Sequence, residues 1–201
     1  MLMDADESQL VLVDYQARLM PAIHEAEAVL LNATRLARMA QALDVPIWGT
    51  EQNPGRLGEN PQELRALCRK TLSKMSFSGC ADGLGELLRP PARAPQGGNA
   101  RSLPKHLQKP SAPAAERNTI VIGGCEAHVC LLQTALDLLE EEFEVWVVTD
   151  ACSSRTERNR DAAFDRLAGA GAELVTTEMV AFEWLRTAEH PMFREVLSLI
   201  K

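Results

Sequence analysis

Short apolar runs rich in valine and isoleucine alternate along the chain with longer segments in which apolar residues recur every three to four positions. Runs of the first kind are typical of strands buried on both faces, and segments of the second kind are typical of amphipathic helices. The predicted strands are residues 10–13, 46–50, 72–77, 119–122, 144–149 and 173–176. Their alternation with helices predicts an α/β fold, a three-layer αβα sandwich around a doubly wound sheet of six parallel strands in the order 3-2-1-4-5-6.

The helical segments are longer and are bounded by recognisable start and stop residues. In residues 26–43 the apolar positions fall on one stripe, and Gly169 and Gly171 follow the end of a later helix. The predicted helices are residues 26–43, 62–68, 81–88 and 127–140, one that follows the turn 150–156 and ends near 168, and two more over 179–187 and 193–200.

The segment 89–117 has a different composition from the rest of the chain. It holds six of the eleven prolines and six Lys+Arg against one acid, so its charge is 6 − 1 = +5 and the remainder carries −12. Such a segment buries too little apolar surface to offset the entropy of ordering it, which predicts a loop that is disordered or ordered only by a partner. We interpret residues 1–201 as one domain with this proline-rich basic loop as an insertion; a basic binding arm is the alternative.

Charge and hydropathy exclude several classes of protein. The net charge of −7 over 201 residues disfavours binding to nucleic acid or to anionic lipid. The longest apolar runs, residues 11–13 and 145–148, are far shorter than the roughly 20 residues of a membrane helix. The acidic first seven residues do not resemble a secretory signal. We therefore expect a cytoplasmic protein that acts on a small molecule, without nucleic acid or membrane partners.

The five cysteines are odd in number and form no C-x-x-C pair. This spacing fits neither a disulfide framework nor a zinc site, and it indicates reduced thiols. The four histidines, at positions 24, 106, 128 and 190, also lack the spacing of metal ligands. We expect no metal and no cofactor. Most free cysteines are small buried apolar residues, and one of these five is a candidate nucleophile.

Three residues of complementary chemistry are predicted at the carboxyl edge of the sheet. Asp14 follows the first strand, Cys130 lies in the first turn of the helix after the fourth, and Lys74 lies in the third. The first and fourth strands flank the switch point of the predicted strand order, where functional residues gather. A helix start and a nearby ammonium favour a thiolate, and a carboxylate can accept the thiol proton. The three residues therefore form a candidate nucleophilic set.

Five segments resemble the isochorismatase-like cysteine hydrolase superfamily and occur in its order, so that the resemblance extends over nearly the whole chain apart from 89–117. Two of them, TEQ-P-x-x-LG and DACSSR, are especially similar to its isochorismatase-domain-containing subgroup. The five segments are VLVDYQ (11–16), TEQNPGRLG (50–58), KMSFS (74–78), GGCEAHVCLLQTALDLL (123–139) and VVTDACSSR (147–155).

The resemblance implies a role for each residue of the set. It implies Asp14 as general base, Lys74 as charge partner and Cys130 as nucleophile. It also implies a cis peptide between Cys125 and Glu126, and an oxyanion hole made by the backbone N–H groups of Glu126 and Cys130. Relatives often assemble, which implies a homo-oligomer. Past the strand ends, the candidate substrate-pocket residues, each equally compatible with simple packing, are Gln16, Leu19, Gln52 and Phe77, with Tyr15 and Glu51 beside them.

Differences from the family pattern reduce the number of reactions that we expect this chain to catalyse. Family members that cleave the vinyl ether of isochorismate typically lack the cysteine, so Cys130 favours amide, imide or related acyl chemistry. Nicotinamidase relatives carry a metal cluster of the Asp-x-His type after the second strand, where this chain has Thr-Glu-Gln-Asn at 50–53. His128 is interpreted as a surface or capping side chain. Cys152 is interpreted as structural, with Ser153, Ser154 and Thr156 as caps of the next helix.

The leading hypothesis is a metal-independent cysteine hydrolase that cleaves a C–N bond of a small amide-like substrate through a Cys-Asp-Lys triad and a thioester. The alternative is a non-hydrolytic binding or redox-responsive protein that retains the fold and the thiol. A dinucleotide-binding protein is a third hypothesis, which Gly123-Gly124 disfavours because the G-x-G-x-x-G spacing is absent.

Overall fold

Six parallel strands form one sheet in the order β3-β2-β1-β4-β5-β6, which confirms the predicted order. The computed structural model describes residues 1–89 and 117–201. All five neighbouring strand pairs are parallel. The strands are β1 (Ser8–Val13), β2 (Ile47–Gln52), β3 (Lys70–Lys74), β4 (Thr119–Cys125), β5 (Glu144–Ser153) and β6 (Glu173–Val175).

Helices cover both faces of the sheet and complete the predicted three layers. One face packs α1, α3, α7 and α8, and the other packs α4, α5 and α6. Within the described residues, no helix is both long enough and apolar enough to cross a membrane. The helices are α1 (Ala26–Ala42), α2 (Pro54–Leu57), α3 (Gln62–Leu67), α4 (Leu84–Leu88), α5 (Leu132–Glu140), α6 (Glu157–Gly169), α7 (Thr177–Leu185) and α8 (Phe193–Ile200).

The central strand β1 shows why the apolar runs are continuous rather than alternating. Leu10 and Leu12 pack into the core beneath α1, whereas Val11 and Val13 pack into the core beneath α5. Successive side chains of a strand point to opposite faces, and both faces of this sheet are covered by helices. Every residue of β1 is therefore buried.

Three strand predictions are wrong at their carboxyl ends by three residues or more. The fourth strand was predicted over 119–122, but β4 continues through Gly123 and Gly124 to Cys125. The third strand was predicted over 72–77, but β3 ends at Lys74, and Met75 and Phe77 are exposed in the loop that follows. The fifth was predicted to end at 149, but β5 continues to Ser153, because Cys152 and Ser153 pair with Gly124 and Cys125 beyond a shift in register. Half-buried Thr149 and Asp150 inside β5 resemble a turn when only the local sequence is considered.

The proline-rich segment predicted as a loop lies, at positions 90–116, outside the described residues. Its two flanks are described, and both lie at the amino edge of the sheet, where β1 and β4 begin. The Gln9 side chain donates to the carbonyl of Leu88 at 3.0 Å and to that of Arg117 at 2.8 Å. Arg117 in turn donates to the carbonyl of Ser8 at 2.8 Å. One buried amide group therefore joins the two flanks.

Candidate active site

The carboxyl edge of the sheet brings together the three residues that the sequence predicted as a set. Asp14 directly follows β1, Lys74 is the last residue of β3, and Cys130 lies in the turn that follows β4. Strands β1 and β4 are neighbours, and the chain winds outward from them in opposite directions. This is the switch point at which ligands bind in open α/β sheets.

Asp14 is a fully buried carboxylate held from two sides. Its Oδ2 accepts a hydrogen bond from Nζ of Lys74 at 2.7 Å, and its Oδ1 accepts one from Oγ1 of Thr50 at 2.7 Å. A buried charge is costly unless it is paired and hydrogen-bonded, and Asp14 is both. Sequence reasoning missed Thr50, because its place beside Asp14 follows from the pairing of Thr50 with Val13 across β1 and β2.

Lys74 is fixed by three oxygen atoms. Besides Asp14, its Nζ donates to the backbone carbonyls of Ser76 at 3.3 Å and Phe77 at 2.9 Å. An ammonium group has three hydrogens, so each has a protein acceptor. The carbonyls are available because β3 ends at Lys74 and the chain turns back over its side chain. The ammonium is thereby held as a fixed positive charge with no exposed side-chain surface.

Cys130 is a buried thiol, 7% exposed, that both members of this ion pair affect. The pKa of the Cys130 thiol is raised from 9.0 to about 12, first by burial and second by the Asp14 carboxylate, while the Lys74 ammonium opposes the increase. The Lys74 ammonium lowers the pKa of the thiol, the direction expected from the sequence, but its effect is smaller than the opposing ones. Desolvation, together with the Asp14 carboxylate, outweighs the Lys74 ammonium, and the raised pKa favours the protonated thiol.

High pKa values are shared by the other thiols, so acidity does not single out Cys130. Burial raises the pKa of Cys68 to about 11 and those of Cys80 and Cys125 to about 12, and that of buried Cys152 lies well above its ordinary value. Cys130 is instead distinguished by the fully buried ion pair of Asp14 and Lys74 beside it, whereas the pair that acts on Cys68, Glu51 and Arg65, has an arginine 38% exposed.

The turn that carries Cys130 begins at a cis peptide between Cys125 and Glu126, as the resemblance implies. A π-helical turn, Ala127–Leu131, follows and leads into α5, so the predicted helix 127–140 has two parts. Gly124 lets this segment approach β1: a Cβ there would lie 2.5 Å from Cβ of Val13. Among the described residues, the Glu126 N–H has no hydrogen-bond acceptor.

The segment after β5 contacts the same turn. Nδ1 of His128 lies 2.9 Å from Oγ of Ser154, and Nε of Arg155 donates to Oε2 of Glu126 at 2.8 Å. The prediction that Ser153, Ser154 and Thr156 cap the next helix is confirmed only for Thr156, whose Oγ1 accepts from the N–H of Asn159.

The four candidate pocket residues lie in different surroundings. Gln16 is buried, and its side-chain amide bonds the backbone of Gln52 and the carbonyl of Gly58, which joins two loops. Leu19 packs against the core beneath α1. Gln52 is half-buried and donates to the carbonyl of Met75 at 3.2 Å, and Phe77 is 51% exposed above Lys74. Contact of these residues with a substrate stays a prediction.

Possible metal ligands are dispersed. Over residues 1–89 and 117–201, no three His, Cys, Asp or Glu side chains are grouped as they would be around a metal ion. His24 pairs with Glu157, and His190 accepts a hydrogen bond from the Met192 N–H. His106 lies outside the described residues.

The chain is similar in sequence to known proteins over nearly its whole length. The Isochorismatase domain family model matches residues 102–179. Isochorismatase domain-containing protein 2A of Mus musculus is 35% identical over 196 residues, which cover 98% of this chain and 84% of the mouse protein. Isochorismatase domain-containing protein 2 of Rattus norvegicus is 33% identical, over 98% of this chain and 82% of the rat protein.

Solved structures share the fold over nearly the whole chain. The MAR1 ribonuclease of Caenorhabditis elegans superposes with a TM-score of 0.83 at 29% identity, covering 100% of this chain and 92% of that one. The YcaC protein of Escherichia coli, an octameric hydrolase of unknown specificity, superposes with a TM-score of 0.75 at 23% identity, covering 98% and 95%.

Proposed function

The chain belongs to the isochorismatase family of hydrolases, and we propose that it is a metal-independent cysteine hydrolase that cleaves a C–N bond of a small amide-like substrate. The observation that carries the proposal is the buried ion pair of Asp14 and Lys74, which acts on the thiol of Cys130. A thiol, a proton acceptor and a fixed positive charge in one desolvated place are what nucleophilic catalysis by cysteine requires.

The first step transfers a proton. Because the pKa of the Cys130 thiol is raised to about 12, attack requires a base, and Asp14 accepts the proton from Sγ. Negative charge then passes from the carboxylate to the sulfur beside the same Lys74 ammonium. The total charge of the buried set is unchanged, which keeps the electrostatic cost of forming the thiolate low.

Sγ of Cys130 next attacks the carbonyl carbon, and a C–S bond forms as the carbonyl π electrons move onto oxygen. The backbone N–H groups of Glu126 and Cys130 stabilise this oxyanion. The absence of a protein acceptor for the Glu126 N–H, among the described residues, supports that role. The C–N bond then breaks, the nitrogen takes the proton from Asp14, and the amine leaves a thioester on Cys130.

Water completes the cycle. Asp14 removes a proton from a water molecule, whose oxygen attacks the thioester carbonyl, and the C–S bond breaks. Asp14 returns the proton to Sγ, which regenerates the resting thiol and the ion pair. The net reaction consumes one amide and one water, and it releases one acid and one amine.

The metal-independent part of the proposal is supported by the residues at the carboxyl end of β2. Nicotinamidase-like relatives carry an Asp-x-His metal cluster there, whereas residues 50–53 are Thr-Glu-Gln-Asn. Thr50 and Glu51 make hydrogen bonds within the protein: Thr50 donates to Asp14, and Glu51 accepts from the Asn60 N–H at 2.8 Å.

A small molecule rather than RNA is the proposed substrate. The C. elegans structure is of a ribonuclease, so RNA is the second candidate. The net charge of −7 disfavours a phosphate backbone as ligand, and the nucleophile is only 7% exposed. Assembly with copies of this chain, by analogy with the octameric E. coli protein, and a cytoplasmic location complete the proposal.

The test is intact-mass analysis of the protein during incubation with small amides, imides, carbamoyl compounds and, separately, a short RNA. We expect an acyl adduct or turnover with a member of the amide series. Cys130→Ala should abolish both. Cys80→Ala should preserve them, because Cys80 is a half-buried thiol whose pKa is also raised to about 12 but which lacks the ion pair.

Three results would contradict the proposal. Turnover that survives in Cys130→Ala would exclude the thioester. Cleavage of RNA without reaction of any amide would favour the second candidate. Reversible oxidation of Cys130 without acylation or turnover across the whole panel would favour the redox-responsive alternative.

A further inference from the structure

The turn between β4 and α5 is held from outside by two consecutive residues that follow β5. Arg155 contacts Glu126 twice: its Nε donates to Oε2 at 2.8 Å and its backbone N–H donates to the same oxygen at 3.3 Å. The two side chains differ in exposure, 60% for Arg155 and 12% for Glu126. The carboxylate is therefore largely enclosed, and a guanidinium group covers it from the solvent side.

Ser154 makes the second contact with the turn. Its hydroxyl lies 2.9 Å from Nδ1 of His128, which is two residues before Cys130. Ser154 is fully buried, and its carbonyl accepts a hydrogen bond from the His24 N–H at 2.9 Å, at the approach to α1. Ser154 therefore links the turn to the segment that leads into α1.

The backbone just before these residues is also tied to the turn. Cys152 pairs with Gly124 and Ser153 pairs with Cys125, beyond the register shift between β4 and β5. The long β5 thus runs beside β4 up to the cis peptide, and its next two residues continue the contact through side chains. Residues 152–155 follow residues 124–128 along their length.

We propose that Ser154 and Arg155 are positioning residues that hold residues 126–130 so that the N–H groups of Glu126 and Cys130 face the same oxyanion. The inference rests on the proposed function, since it assumes that these N–H groups stabilise charge during acyl transfer. Donors of this kind act only when held within a fraction of an ångström of the developing charge. Side-chain contacts on Glu126 and His128 restrict the start and the middle of that short segment.

A contribution to stability alone is the competing explanation of the Arg155 contact. Ion pairs with an exposed partner contribute little to folding, commonly below about 1 kcal/mol. Arg155 is such a partner. Its removal should therefore leave the fold intact, so a selective kinetic effect is measurable.

The test compares two reactions of the same thiol. Acylation of Cys130 by p-nitrophenyl acetate passes through a tetrahedral oxyanion, whereas alkylation by iodoacetamide displaces iodide and forms no oxyanion. We expect Arg155→Gln and Ser154→Ala each to slow acylation about tenfold, a fraction of the effect of deleting an oxyanion donor. Alkylation should change less than about twofold, because the thiol and the Asp14–Lys74 pair are untouched.

Matched variants complete the experiment. Arg155→Lys retains the positive charge and should recover part of the acylation rate. Arg160→Gln removes an arginine that pairs with Asp161 and Glu25 instead of the turn, and it should leave both reactions unchanged. Thermal unfolding measured on every variant identifies any loss of structure, and the alkylation rate serves as an internal reference for the state of the site.

The outcomes separate this inference from the proposed function. Equal rates of acylation in Arg155→Gln, Ser154→Ala and the wild type would overturn the positioning role, as would equal slowing of acylation and alkylation. If p-nitrophenyl acetate acylates the wild type no faster than Cys130→Ala, the proposed function fails, and the inference fails with it.

Discussion

Nζ of Lys74 lies 2.7 Å from Oδ2 of Asp14, and solvent reaches neither side chain. The two residues are 60 positions apart in the sequence, and they meet because parallel strands end at one edge of the sheet. Removing both charges of such an ion pair from water costs free energy. Replacing both partners by neutral residues of similar volume often leaves the stability of a protein unchanged. A contribution to folding stability therefore does not account for the pair, which fits the role proposed for it beside Cys130.

Lys74→Met and Asp14→Asn should separate stability from activity. Each single variant leaves a buried charge or polar group unpaired, so Lys74→Met should lose about 3–5 kcal/mol of unfolding free energy. The double variant should regain part of that loss, because no unpaired charge remains, and it should stay inactive. Urea unfolding measures the first effect and acylation of Cys130 the second. A double variant that regained activity would remove both residues from the mechanism.

Stability should fall as the pH rises above about 9. The folded-state pKa values of Cys80, Cys125 and Cys130 are raised from 9.0 to about 12, so the folded protein retains protons that the unfolded chain releases between these values. By linkage, the stabilisation is complete below pH 9 and is lost as the pH rises towards 12. Urea titrations from pH 7.5 to 11 measure the slope, which should be smaller in Cys80→Ala. A flat profile would contradict the raised pKa values.

Alkylation of Cys130 at pH 7.5 should depend on Asp14. The thiol is protonated at this pH, so reaction requires a base, and loss of a general base commonly costs a factor of at least about 100. Asp14→Asn should therefore slow iodoacetamide labelling of Cys130, by less than this factor because the variant also loses a carboxylate that raises the thiol pKa, while peptide mapping shows unchanged labelling of Cys80. Labelling of Cys130 at the wild-type rate in this variant would assign the base to another group.

Chelation should have no effect on the reaction. The residues that would ligate a metal in nicotinamidase-like relatives are replaced at positions 50–53, and Thr50 instead bonds Asp14. Dialysis against EDTA should leave the acylation and deacylation rates of Cys130 unchanged. Loss of the rates, with recovery on addition of one divalent metal, would show that the reaction requires an ion.

Removal of residues 93–116 should preserve folding and acylation. The flanks meet at Gln9 at the amino edge of the sheet, whereas Asp14, Lys74 and Cys130 lie at the carboxyl edge. The entropy of closing a loop changes slowly with its length, so shortening costs little. Thermal unfolding, p-nitrophenyl acetate kinetics and light scattering check the variant. A variant that unfolds at the normal temperature but has a much lower acylation rate would show that the segment takes part in the reaction. A changed mass in light scattering would show that it takes part in assembly.

Local sequence patterns predicted the elements that depend on local chemistry. Buried parallel strands require continuous apolar runs, and α8 was predicted with its observed limits, Phe193–Ile200, from helical periodicity alone. The ends of β3 and β5 were wrong for the opposite reason. Met75 and Phe77 alternate like strand residues but are exposed, and Cys152 and Ser153 belong to β5 only through pairing with β4.

The sequence by itself predicted the sheet order and the three residues at its carboxyl edge, because 3-2-1-4-5-6 is a common order of doubly wound sheets and the motifs fall at strand ends. Only the tertiary structure decided what surrounds them: the Thr50 hydroxyl on Asp14, the two carbonyls on Lys74, and the burial that raises the pKa of Cys130 to about 12. Register between strands and desolvation arise from contacts between distant segments, and no local window of sequence encodes them.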